Sequence, residues 1–380
     1  MGADVSALTH AAGVALAEVF GPVVVRPGEV LPSSERAVVL RASARYASGR
    51  QHDVVLKAAV GAGDGGAREQ AALTLLAAHD VPGVVRLLAA GDDPPVLVLA
   101  DLGTRPTLAD RLLGDDPVAA QQAVLGWAAA VGALQARTAS FRQAFSSELA
   151  SLSPLGPPAV DTMPDALSGA SAVLARELPR LGVHVSADAL VELRGIGDAL
   201  DVSVLGAAGA LAPGDTCPSN AVETAEGIVL LDFEGAEYRH VAWEAAYLTV
   251  PWPSCWCSWA LPPQVTELAL ARWRQAVSGA LPEVLTPGFA DDLVRAATGW
   301  AFISTGWFLG SAFAGDPPPS EPARRSLIPR RRALLQHRLG QVAALKSPLV
   351  PSLADLAAQT CAAMQCEWGA HPLPLAPAFR

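Results

Sequence analysis

The chain predicts an α+β fold in two unequal parts: a small strand-rich portion up to about residue 100 with one main helix, then a larger, mostly helical remainder. Three observations carry this. Short apolar runs, His52-Asp53-Val54-Val55-Leu56-Lys57-Ala58 and Val96-Leu97-Val98-Leu99-Ala100, fall in the first hundred residues and have the length and β-branched content of buried strands. Beyond them, Ala- and Leu-rich stretches with apolar residues at helical spacing dominate. Between two such stretches sits a polar turn, Pro213-Gly214-Asp215-Thr216-Cys217-Pro218-Ser219-Asn220, followed by a short apolar strand that ends in Asp232-Phe233-Glu234.

Taken in order, residues 1–20 read as a leading helix with Leu8, Val14, Leu16, Val19 and Phe20 as its apolar positions. Strands follow to about residue 99, interrupted by a helix at Arg68–Ala77 that carries Glu69 near its start, where a carboxylate also complements the helix dipole. Val81–Leu88 and Val96–Gly103 read as two further strands. The second ends in a polar-Gly break and a helix at Thr107–Leu113. Pro117 to Ala139 is apolar almost all round, the mark of a buried helix. Residues 141–212 form an insertion, with a Pro/Ser/Gly-rich loop at Ser151–Pro158 and helices at Ala166–Leu178 and Ala187–Leu205.

The turn and strand around residue 220 carry the chemistry. Phosphoryl transfer from a nucleotide needs a carboxylate to receive the proton of the attacking hydroxyl, and oxygen ligands for the Mg²⁺ on the phosphates. In G-D-x-x-x-x-N followed by D-F-E, Asp215 would be the base and Asn220 and Asp232 the metal ligands. Lys57, on its buried strand, would meet the α- and β-phosphates, held by Glu69 on the next helix. Of 27 Lys and Arg residues only Lys57 and Lys346 are Lys. An ammonium is kept where a compact point charge, not a planar fork, suits the site. The peptides of Ala100, Asp101 and Leu102 offer backbone groups to an adenine ring. The bland alternatives are an acidic turn beside a strand that happens to end in Asp, and a Lys whose stem lies on the surface.

The order Lys57, Glu69, V-L-V-L-A-D-L-G, P-G-D-T-C-P-S-N and L-L-D-F-E resembles the aminoglycoside phosphotransferase and choline-kinase-like family, related in fold to protein kinases. The resemblance covers residues 25 to 250, about 60% of the chain. It implies a two-lobed protein-kinase-like fold, with a small antiparallel-sheet N-lobe at 1–100 and a mostly helical C-lobe at 101–380. It also implies ATP and Mg²⁺ as cofactors, Asp215 as catalytic base, Asn220 and Asp232 on the metal, and Lys57 with Glu69 at the phosphates. Three departures stand out. Pro213 replaces the His that usually precedes G-D and rigidifies the loop. The phosphate-covering turn has no G-x-G-x-x-G; Leu31–Arg36 takes its place, with Ser33 and Ser34 as candidate phosphate contacts. Glu244 replaces an Asp that usually anchors the catalytic loop.

Composition narrows the partners. Residues 141–300 carry 19 acidic and 8 basic side chains, a field that attracts cations such as aminosugars and repels nucleic acid. Ordinary solubilising surface accounts for it equally well. No run of eighteen apolar residues and no basic leader stands in the sequence, so no membrane partner and a cytoplasmic location are expected. Five cysteines, an odd count, suggest reduced thiols. Cys255-Trp256-Cys257 has no second pair to complete a zinc site. Seven Trp between 243 and 307 read as core packing more readily than as a pocket. Arg324-Arg325, Arg330-Arg331-Arg332 and His337-Arg338 read as a solvated helix face, or as a docking surface for an acidic peptide.

The expected activity is transfer of the γ-phosphoryl group of ATP to a hydroxyl of a small molecule, with an aminoglycoside-like acceptor as the first choice. The alternatives are a Ser/Thr kinase acting on a natural-product precursor peptide and a catalytically silent kinase-like binding module.

Overall fold

The computed structural model describes residues 5–31, 37–60, 63–153, 156, 158–204, 208–317, 327–345 and 347–380. Helix α1 (Val5–Phe20) precedes strands β1 (Val23–Leu31), β2 (Ala37–Tyr46) and β3 (Gln51–Ala59). Helix α2 (Gly65–Ala78) then leads to β4 (Leu87–Asp92) and β5 (Pro95–Ala100). The five strands form one antiparallel sheet in the order β1-β2-β3-β5-β4. Alternation along β3 sets the whole arrangement. Val54, Leu56 and Ala58 are buried on one face against Leu8, Ala12 and Leu16 of α1. Val55 and Lys57 point to the other face, toward the second lobe.

Several expected boundaries move, including the helix expected at Ala187–Leu205, which ends at Ala199. The Val81–Leu88 run is not a strand of the sheet; β4 begins at Leu87. Gly83 has φ +75° and bends the run. Val85 N–H then donates to Leu230 O (3.0 Å), and Leu230 N–H donates to Gly83 O (2.9 Å). The β-branched residues are buried as expected, but they tie the small lobe to the segment before Asp232. Helix α2 starts at Gly65, so Glu69 lies in its second turn, beyond the reach of a first-turn dipole effect.

After residue 100 the chain becomes mostly helical, with α3 (Leu108–Leu113), α4 (Pro117–Thr138), α5 (Arg142–Ser151), α6 (Met163–Glu177) and α7 (Ala187–Ala199). Two small two-stranded sheets follow, β6 (Gly209–Ala212) with β9 (Glu237–His240), enclosing the hairpin of β7 (Ala221–Thr224) with β8 (Gly227–Leu230). The rest is α8 (Ala242–Ala245), α9 (Pro263–Val277), α10 (Pro287–Phe313), α11 (Arg331–Ala343) and α12 (Pro351–Trp368). Thr107 caps α3 through a reciprocal box with Asp110. By length and composition α4 is apolar enough to cross a membrane, which the sequence reading did not anticipate. Here it buries Ala120, Val124, Trp127 and Val131 and packs along α9.

Most of the tryptophans behave as core, although Trp307 is 48% exposed. Trp243, Trp252, Trp259 and Trp273 are fully buried, and Trp127 meets Trp252 edge-to-face at 5.8 Å. The arginine-rich segment does not form the expected solvated face. Arg338 is 0% exposed and donates to Pro251 O (3.3 Å) and Pro253 O (3.4 Å), and Arg332 donates to Ala312 O. Its spacing to Leu334, Leu335, Leu339 and Val342 places Arg338 on the buried stripe of α11. Arg324 and Arg325 lie outside the described residues.

Candidate active site

Lys57 leaves β3 on the face opposite Leu56 and reaches the space between the lobes. Its ammonium lies 2.6 Å from Glu69 of α2 and is hydrogen-bonded to Asp232. Burial works against the charged ammonium, but Glu69 and Asp232 outweigh it and hold the Lys57 pKa above the usual lysine value. Burial pushes the Glu69 pKa up against the pull of Lys57. Glu69 also accepts the N–H of Phe233 (3.3 Å), so one carboxylate ties the ammonium to the backbone of the D-F-E segment. Arg68, next to it and 5% exposed, donates to Ala236 O and Ala159 O and pins α2 to the large lobe.

The β7–β8 hairpin brings Asn220 and Asp232 together. Ala221 pairs with Leu230, and Leu231 N–H donates to Asn220 O at 2.8 Å. Asn220 therefore stands across the hairpin from Leu231, one residue before Asp232. Asp232 adopts φ +62°, a left-handed conformation that Asp tolerates better than most residues.

Lys57, Glu69, Asn220, Asp232, Ala100, Asp101 and Leu102 all line one cleft of about 330 Å³, with Val39, Val55, Leu99 and Leu231 supplying apolar walls. Asp101 is already engaged: Arg41 donates to its carboxylate (2.7 Å), as does Gly103 N–H (2.8 Å). It shapes the connector, as the N–H of Ala100 does by donating to Arg86 O. Ser33 and Ser34 lie outside the described residues.

Asp215 sits beside this cleft. Its backbone oxygen accepts from the Asn220 amide (3.2 Å), and its carboxylate accepts from Ser254 (2.8 Å), whose hydroxyl is 3.1 Å from that of Tyr247. Gly214 adopts φ +87° and packs so closely that a Cβ there would lie 1.8 Å from Gly235 O. Trp127 donates to Thr216 O (3.1 Å), and Arg239 and Tyr247 both donate to Gly214 O. These contacts fix the loop in which Pro213 stands. Glu244 acts on it at one remove, because it holds the fully buried Arg239 together with Glu237.

Sequence reasoning missed Arg41, Arg68, Tyr247 and Ser254. Arg41 was visible in the alternation of β2. The others depend on contacts between segments far apart in the chain. It also missed the sulfur chemistry. Cys217 and Cys255 form a disulfide, against the expectation of five reduced thiols. Cys257 places its sulfur 2.9 Å from that of Cys255 and 3.6 Å from that of Cys217.

A sheet lobe and a helical lobe, with a Lys–Glu pair facing an Asn–Asp pair across their cleft, make this a two-lobed α+β kinase-like fold. No family model matches the chain, and no curated protein matches it in sequence. In structure it is similar to a choline/ethanolamine kinase family protein from Mesorhizobium loti, at 17% identity and TM-score 0.50, over 90% of this chain and 96% of that one. It is also similar to amicoumacin kinase hAmiN in complex with AMP-PNP, Ca²⁺ and Ami, at 10% identity and TM-score 0.49, over 86% and 87% of the two chains. The first likeness establishes the fold: the arrangement expected from the resemblance is the one observed.

Proposed function

We propose that the chain is an ATP- and Mg²⁺-dependent O-phosphotransferase acting on a hydroxyl of a small molecule. Residues 1–100 would hold the nucleotide, and 101–380 the base and the acceptor. The observation that carries this reading is the convergence of Lys57 from β3, Glu69 from α2, and Asn220 and Asp232 flanking the β7–β8 hairpin on a single cleft. Asn220 and Asp232 offer hard oxygen donors, the set that suits Mg²⁺ rather than a soft metal. Asn220 and Asp232 would hold the ion, which would supply positive charge to offset the negative charge that develops on the phosphates during transfer. Lys57, kept cationic by two carboxylates, complements the α- and β-phosphates. Asp215, oriented by Ser254, takes the proton of the acceptor hydroxyl.

A small acceptor is favoured over a peptide because the arginine segment is partly used inside the protein. Arg338 is buried and Arg332 is bonded to Ala312 O, so neither offers a free basic face to an acidic peptide. The acidic character of residues 141–300 supports a cationic acceptor of the aminosugar kind. A panel of hydroxylated, amine-bearing compounds and of Ser/Thr peptides, incubated with γ-labelled ATP and Mg²⁺, tests the reading. Label in a small amine-bearing product is expected. Label only in peptides would overturn the acceptor class, and MgATP binding with no transfer to any acceptor would favour a silent binding module.

A further inference from the structure

Three buried sulfurs lie directly behind the proposed base. Cys217 follows Asp215 by two residues, and Cys255 follows Ser254, whose hydroxyl donates to the Asp215 carboxylate at 2.8 Å. The disulfide and that hydrogen bond close a ring: Asp215, Thr216, Cys217, across to Cys255, back through Ser254 to Asp215. Both bonded cysteines are no more than 3% exposed. The loop that carries Cys255 has its own supports. Ser258 donates to Trp252 O and Cys255 O, both at 2.7 Å, and Arg338 donates to Pro251 O and Pro253 O. Opening the sulfur bridge therefore releases the link to the catalytic loop without dismantling the loop on the other side.

We propose that Cys217 and Cys255 form a redox-controlled tether that holds Asp215 on Ser254, so that two-electron thiol–disulfide chemistry at this pair sets the rate of the reaction. This rests on the role of Asp215 proposed above. In the closing direction the two thiols lose two protons and two electrons to a hydroperoxide, which is reduced to an alcohol and water as the S–S bond forms. In the opening direction a dithiol supplies two protons and two electrons, the S–S bond breaks, and the dithiol becomes a disulfide. Both sulfurs are buried, so exchange requires the 251–259 loop to open, which makes the tether slow to respond and stable once set.

The test uses the full-length chain, treated with hydrogen peroxide or with dithiothreitol and then alkylated. Peptide mass spectrometry locates the crosslink, and hydrogen exchange reports on residues 213–220. Calorimetry and steady-state assays give MgATP affinity and turnover. A 217–255 crosslink is expected in the oxidised chain. Reduction should label both cysteines, speed exchange across the catalytic loop, and slow turnover about tenfold through loss of one charge-assisted hydrogen bond, with MgATP affinity unchanged. Cys255→Ser and Cys217→Ala, each checked for a native melting transition, should sit at the slow level whatever the redox treatment. Two thiols that alkylate readily even after peroxide would overturn the tether. So would one zinc per chain held by Cys217, Cys255 and Cys257, or a crosslink whose opening changes neither exchange nor turnover. A crosslink that governs loop exchange in a chain that neither binds nor turns over MgATP would instead overturn the kinase reading and leave the tether standing.

Discussion

At the scale of single residues, Asp215 and Asp232 are separable by their surroundings. Asp232 faces Lys57 within the cleft between the lobes, whereas Asp215 lies beside the cleft and is held from behind by Ser254. Removing the Asp215 carboxylate should abolish phosphoryl transfer and leave nucleotide affinity nearly intact. Asp232→Ala should weaken MgATP binding as well, since it deletes a proposed metal ligand and one of two counter-charges to Lys57. Calorimetry beside a steady-state assay checks both, and equal residual activity with equal affinity in the two variants would contradict the roles. Gly214 poses a different question, that of room. With φ +87° and a carbonyl 1.8 Å from where its Cβ would stand, Gly214→Ala must shift the backbone of either residue 214 or residue 235. A loss of about 3 kcal/mol in urea unfolding is expected from strain and overpacking together. Turnover should fall further than stability accounts for, because the residue that moves is the neighbour of Asp215.

At the scale of elements, β9 and α8 act on the turn at 213–220 through Arg239. This guanidinium is 2% exposed and sits between Glu237 and Glu244, and it donates onward to Gly214 O. Burial works against its charge, but Glu244 and then Glu237 outweigh that and raise its pKa well above the usual arginine value. Glu244→Ala should therefore cost about 3 kcal/mol, because it leaves a buried cation short of one partner. Glu244→Gln keeps an acceptor and should cost less, and the urea midpoints of the two variants decide. The same elements show what a sequence can disclose. Helix α4 and strand β3 were readable within a residue or two because length, apolar spacing and caps agree locally. The Val81–Leu88 run was misread because β-branched content signals burial, and burial between lobes looks the same as burial in a sheet. Lys57, Asn220 and Asp232 were legible as an ordered set, since motif spacing survives even where the fold cannot be seen. Ser254 and Cys217 were not, because their meaning arises only when segments about forty residues apart come into contact.

At the scale of the whole molecule, acid should be a sharper stress than the carboxylates alone imply. His240 at the end of β9 is buried and His337 in α11 is partly buried; desolvation lowers each pKa to about 4, with Arg338 adding to the effect at His337. His240 fits a neutral ring: its Nδ1 accepts the N–H of Ala242 at 3.3 Å, and its other nitrogen is 3.9 Å from Asp292. A histidine that stays neutral when folded but takes up a proton near pH 6.5 when unfolded stabilises the native state above that pH. The contribution is lost as pH falls toward the folded pKa. Between pH 7 and pH 5 each ring should cost about 2 kcal/mol, an upper figure because neighbouring charges relax. The two sites act on different elements. His240 stacks on Phe289 at the start of α10, and α11 supports the 251–259 loop through Arg338. His240→Gln should flatten part of the acid slope in urea midpoints measured from pH 7 to pH 5, and adding His337→Gln should flatten most of the remainder. A slope unchanged in the double variant would place the acid sensitivity elsewhere, and not at Asp161, whose carboxyl burial lifts to about 6 so that it favours the native state as pH falls.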